Sequence, residues 1–174
     1  MSVRMILAAL ALTAAAAPTR PVAAQEVVVA PLIAAHADGH FLIGGLLGFP
    51  LDEDGSVLLA LNGGFQAPDD FEGPESWEYW EANVDLLMRT NAAARMHLFA
   101  LGGFHVARLA TETFQGFGYP VTTSWDTSAG VNLGGGFAWR WASVTPMLGM
   151  KFELKSGAPW VVFLAVGVPM PELN

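Results

Sequence analysis

At 174 residues the chain is long enough for one domain with a substantial core. Its net charge of −8, with only 8 scattered Lys and Arg, excludes the clustered basic surface of a nucleic-acid binder. Charged residues are 14% of the chain and mean hydropathy is +0.42, yet past the N-terminus no uncharged apolar run approaches the ~20 residues of a spanning helix.

Met1 to about Ala24 reads as a secretory signal peptide. Arg4 supplies the positive start, Met5–Ala17 the apolar run, and Val22-Ala23-Ala24 the small-residue cleavage site. Removal of Arg4 and Arg20 would take the net charge from −8 to −10. Cysteine is absent, so an exported mature chain must be stable without disulfides.

The remaining residues, 25–174, divide into eight segments with the period-two alternation of strands. They are Glu26–Ala34, Phe41–Pro50, Ser56–Gln66, Trp77–Arg89, Ala94–Arg108, a long hairpin over Trp125–Leu154 that supplies two, and Trp160–Val168. The hairpin shows the pattern best. Val131, Leu133, Phe137, Trp139 and Trp141 alternate with Asn132, Gly134, Gly136 and Arg140, and after a turn near Ala142 Leu148, Met150 and Phe152 alternate with Met147, Gly149 and Lys151. Successive strand residues point to opposite faces, so one face is apolar and the other small or polar.

The connections alternate in length. Thr90-Asn91-Ala92, Leu51–Gly55 and the turn at Ala142 are short, whereas Ala67–Ser76 and Leu109–Ser124 are long and rich in polar residues, Gly or Pro. Short turns at one end and long loops at the other are the pattern of outer-membrane barrels with both termini on the periplasmic side. A Gly-Gly-Phe element recurs at Gly63-Gly64-Phe65, Gly102-Gly103-Phe104 and Gly135-Gly136-Phe137. No helix start follows it, so it marks strand depth and curvature instead of a nucleotide loop.

On these residues the chain resembles the small eight-stranded outer-membrane β-barrels of Gram-negative bacteria, from Gln25 to Asn174. The resemblance implies an all-β, antiparallel, up-and-down transmembrane barrel, monomeric, in contact with outer-membrane lipids, and without a cofactor. It implies a structural or surface-interaction role, with any surface ligand at the long loops. Such barrels usually end in an aromatic residue; this chain ends Met170-Pro171-Glu172-Leu173-Asn174.

The same alternation selects candidate site residues. Glu81, Asp85, Arg89, Arg95, His97, His105, Asn132, Lys151 and Glu153 fall on the polar face and are expected to form a lumen network. A tight turn at Thr90–Ala92 would set Asp85 opposite His97 and Leu87 opposite Arg95. An eight-stranded barrel is just wide enough for its own side chains, so the expected outcome is a plug; an ion path is the functional alternative. Segments one, two and eight are apolar on both faces, which leaves part of the lumen greasy. That supports a narrow pore or transporter for small apolar molecules as the competing reading, with a soluble periplasmic lipid-binding barrel behind it.

Trp77, Trp80, Trp125, Trp139, Trp141 and Trp160 fall near strand ends, as interface aromatics do. Asp52-Glu53-Asp54-Gly55 and Asp69-Asp70-Phe71-Glu72 lack the full calcium-loop pattern, so no metal is expected. Ser128 or Ser143 with His97 or His105 would need to meet across strands to form a hydrolase triad. Lipid A deacylase barrels carry His-x-Ser on one strand, and this chain has none. No catalytic residue is expected.

Overall fold

The computed structural model describes residues 27–37, 39, 41–66, 75–113, 122–154 and 160–170, with side chains from residue 78 onward in the fourth strand. The expected leader Met1–Ala24 and the acidic run Asp69–Glu72 lie outside these residues.

Eight strands form a closed antiparallel barrel in sequence order: β1 (Val28–His36), β2 (Phe41–Pro50), β3 (Val57–Gln66), β4 (Glu75–Arg89), β5 (Met96–Thr113), β6 (Thr122–Trp139), β7 (Thr145–Glu153) and β8 (Val161–Pro169). β1 pairs with both β2 and β8, as Ile33 with Ile43 and with Leu164, and this closes the ring. Closure leaves no sheet edge around the barrel wall, so its backbone donors and acceptors are paired between strands, with a break in the β1–β8 ladder at Ala30 and Pro31.

Polarity follows the alternation. Leu133, Phe104, Val84, Ile43 and Phe152 are exposed on the outside, whereas Asn132, His105, Asp85 and Lys151 are buried inside. The first strand does pair, although it begins two residues later than Glu26 and runs on to His36. The apolar interior draws on Leu32, Leu42, Leu46, Leu58, Leu87, Phe99 and Phe163, among others. Phe99 and Phe163 meet with ring centroids 6.1 Å apart.

Two expectations about connections are corrected. The β4–β5 turn is not the three residues Thr90–Ala92 but Thr90–Arg95, closed by Ala94 N–H donating to Asn91 O at 2.9 Å, with Asn91 at φ 44°. The pairing therefore slides along β5: Asp85 faces Gly103, not His97, and Leu87 faces Leu101, not Arg95. The slide is an even number of residues, so every side chain keeps its face.

The second correction concerns Leu109–Ser124. Its flanks are strand, with Leu109–Thr113 of β5 paired to β6 residues Thr122–Asp126. Among the described residues β6 pairs with β7 from Asn132 onward, and β3 pairs with β4 up to Tyr79. The upper parts of β4, β5 and β6 thus extend past the described ends of β3 and β7 as a three-stranded flap. Thr122–Thr127 are exposed at every position.

Candidate functional site

The polar residues of the lumen gather toward the flap end. β4 presents Glu81, Asn83 and Asp85 inward in succession, because alternate residues share a face. Lys151 on β7 donates to Glu81 Oε1 at 2.8 Å and to Asn83 Oδ1 at 3.0 Å, and lies 3.3 Å from Glu153 Oε1. Asn83 Nδ2 donates to Glu81 Oε1 at 3.1 Å. Asn132 Nδ2 donates to Asn83 Oδ1 at 2.7 Å and to Asp85 Oδ1 at 3.3 Å. These two donations fix the amide, so Asn132 Oδ1 accepts from His105 Nδ1 at 2.9 Å and the His105 proton sits on Nδ1. Asn62 Nδ2 completes the shell of Asp85 with a 2.8 Å bond to Oδ2.

Electrostatically, three carboxylates (Glu81, Asp85, Glu153) are buried here, and two of them contact the Lys151 ammonium. Lys151 serves Glu81 and Glu153, while Asp85 is held by the amides of Asn62 and Asn132. His36 Nε2 and the Tyr79 hydroxyl approach the second Glu81 oxygen at 3.6 and 3.2 Å. His36, Glu81 and Glu153 place three ligand-type atoms within 4.8 Å of one another. The Lys151 ammonium contacts both carboxylates, so the chain itself supplies the positive charge there.

The structure brings together Glu81, Asp85, His105, Asn132, Lys151 and Glu153. It separates three others. Arg95 is exposed in the β4–β5 turn, outside the lumen, because β5 starts one residue after it. Arg89, the last residue of β4, and His97, carried there by the longer turn, lie at the opposite, short-turn mouth. Residues missed in the sequence are Asn62, Asn83, Tyr79, His36 and Arg140. Parity alone marks Asn83, which lies between Glu81 and Asp85, whereas His36 falls beyond the segment as read.

Between network and short-turn mouth the lumen is apolar. A void of about 20 Å³ touches Glu81, Asp85 and Lys151, room for about one water. A larger cavity of about 120 Å³ opens below it. Neither His97 nor His105 is hydrogen-bonded to a serine among the described residues. Asp52 serves its own turn: its carboxylate accepts from Ser56 Oγ and from Val57 N at 3.0 Å. These bonds, the Ser56 hydroxyl foremost, hold the half-buried Asp52 carboxyl below its usual range.

Four of the tryptophans fall at two levels, and the other two lie on the flap. Trp139, which stacks on Phe137 at 5.7 Å, and exposed Trp141 lie at the short-turn end. Trp80, paired with Phe65 on the outer face, and Trp160 lie at the flap-end rim. Trp125 is on the flap, its ring 3.9 Å from the Arg108 guanidinium carbon. Trp77 pairs with Thr111 there, and its side chain lies outside the described residues.

No protein-family model and no curated protein matches this chain. Solved structures do match in fold. The N-terminal β-barrel domain of Pseudomonas aeruginosa OprF aligns with TM-score 0.63 at 15% identity, over 84% of this chain and 98% of that one. A major outer membrane protein from Thermus thermophilus aligns with TM-score 0.56 at 14% identity, over 83% and 99%. Neisserial surface protein A aligns with TM-score 0.54 at 12% identity, over 83% and 94%. The chain therefore has the fold of eight-stranded outer-membrane β-barrels.

Proposed function

We propose that this chain is a monomeric outer-membrane barrel, exported by a cleaved leader, whose lumen is stoppered by its own side chains. Its role is structural or surface-interacting, and the β4–β5–β6 flap with the loops it carries is the contact surface. The observation that carries the reading is the polarity of the wall: exposed Leu, Val and Phe outside, buried Asp, Glu, His and Lys inside. A soluble lipid-binding barrel requires the reverse.

From Val131 on β6 to Trp141, two residues past its end, the outward run covers ten residue intervals. At ~3.3 Å per residue and a tilt of about 40°, this is about 25 Å along the membrane normal, the height of the usual lipid-facing band. Trp139 and Trp141 at one level, with Trp80 and Trp160 at the other, fit headgroup-level aromatics. Trp125 and Trp77, on the flap, stand above that band. The network of Lys151, Glu81, Asn83 and Asn132 across the lumen, with room for about one water beside it, supports the stopper.

Cell fractionation combined with a heat-modifiability gel tests this. The folded protein should partition with outer membranes and shift in mobility only on boiling. Recovery in a detergent-free soluble fraction would refute it. The alternative, a narrow pore for small apolar molecules, draws support from the Leu58, Leu87 and Met147 walls of the 120 Å³ cavity and predicts conductance or uptake in liposomes.

A further inference from the structure

Neither the network nor the flap involves the short-turn mouth of the lumen. There the cavity of about 120 Å³ is lined by Arg89, His97 and Arg140, with Leu58, Leu87 and Met147 among its apolar walls. Three neighbouring elements bring the cations together: Arg89 ends β4, His97 is the second residue of β5, and Arg140 follows β6.

Each guanidinium is anchored by a carbonyl instead of a carboxylate. Arg89 donates to Gly55 O through Nε at 2.8 Å and through a terminal nitrogen. Arg140 donates to Ala92 O at 2.9 Å. Among the described residues neither has a carboxylate partner within ion-pair distance. Asp54 reaches the cavity lining, and Asp52 attracts Arg89 from farther off while bonded to Ser56 and Val57. The two guanidiniums repel each other and both repel positive charge on His97.

His97 is 4% exposed, and neither ring nitrogen makes a regular hydrogen bond, though the Ala94 backbone passes close by. A buried polar group without a partner is costly unless something fills the space beside it. Two guanidiniums and an imidazole lining one cavity are donor groups matched to an anion, and the apolar walls beside them favour a hydrocarbon stem. A cavity of about 150 Å³ admits benzene, so one of about 120 Å³ fits about four to six non-hydrogen atoms.

We propose that the short-turn mouth of the lumen binds a short-chain carboxylate of about two to four carbons. Arg89 and Arg140 grip the carboxylate, His97 donates to it, and the stem lies against Leu58, Leu87 and Met147. The site depends on the barrel and the register of its turns, not on the role of the flap.

The test is a titration of the full folded chain in neutral micelles with sodium butyrate at constant ionic strength, following the His97 ring by NMR. Inorganic phosphate and chloride are run in parallel. Saturable butyrate binding is expected, weakened about tenfold by Arg140→Gln and by Arg89→Gln, and unchanged by Arg95→Gln, which removes an exposed charge from the same turn. Arg140→Gln decides the matter if loss of the Arg89 clamp prevents folding. The proposal is overturned if the His97 signals do not saturate where a millimolar site would fill. Phosphate binding more tightly than butyrate, or Arg95→Gln weakening binding as much as Arg140→Gln, would equally overturn it.

Discussion

Lys151 and Glu81 are 70 residues apart in sequence and 2.8 Å apart across the lumen, both buried. The ammonium also contacts Glu153 at 3.3 Å, so two carboxylates depend on it. Removing one partner of a buried pair leaves the other charge uncompensated, which costs about 3–5 kcal/mol. Lys151→Met should destabilise the folded barrel by about that much, read from urea unfolding in lipid vesicles. Adding Glu81→Gln and Glu153→Gln to it should recover most of the loss. No recovery would mean that Lys151 matters for packing instead of charge.

Glycine at 103 is a steric requirement. A Cβ there would collide with the Val84 carbonyl and the Asp85 carboxylate and sit 2.6 Å from Asp85 Cα. Gly103→Ala should cost about 1–3 kcal/mol, as overpacking does. Gly45→Ala, whose Cβ would meet only Ala30 O at 3.6 Å, should be near neutral. Equal effects in the same unfolding assay would contradict this placement.

How much of this is legible in the sequence differs by level. Inside and outside are readable, since parity alone separates Leu133 from Asn132 and Phe152 from Lys151, and parity survives any even slip. Register is not. The turn Thr90–Arg95 carries a run of three alanines with no Gly or Pro to mark its length, so the sequence sets Asp85 against the wrong partner and draws His97 into the network. Likewise Leu109–Thr113 has too little apolar alternation to read as strand. It pairs because β6 continues beside it, a tertiary fact. Arg140 is visible on the polar face, but only the turn geometry brings it to Arg89 and His97.

Charge on the outer wall should be tolerated by level. Leu133 lies within the lipid-facing band of β6, and Leu133→Arg should cost about 2–4 kcal/mol in vesicles. Thr127→Arg, on the exposed flap, should cost about 0–1 kcal/mol. Similar costs at both positions would deny any difference in surrounding medium.

The Leu51–Gly55 turn carries a pH signature. Hydrogen bonds from Ser56 and Val57 depress the Asp52 carboxyl when folded. A group depressed on folding contributes stability above its unfolded value, and that contribution disappears as pH falls through the folded value. Carboxyl NMR titration should place Asp52 below the ordinary 3.8, and Ser56→Ala should move it up. An unchanged midpoint in Ser56→Ala would contradict the assignment of the hydroxyl as the main cause.

The central claim is that the Leu-, Val- and Phe-bearing side of the wall faces hydrocarbon. Because the chain has no cysteine, single substitutions at Val84, Phe104, Leu133 and Thr127 can each carry one fluorophore. Vesicles with brominated acyl chains then report depth. The expected result is strong quenching at positions 84, 104 and 133 and little at 127. Weak quenching at all four, with labels at 84, 104 and 133 open to an aqueous quencher, would contradict the account.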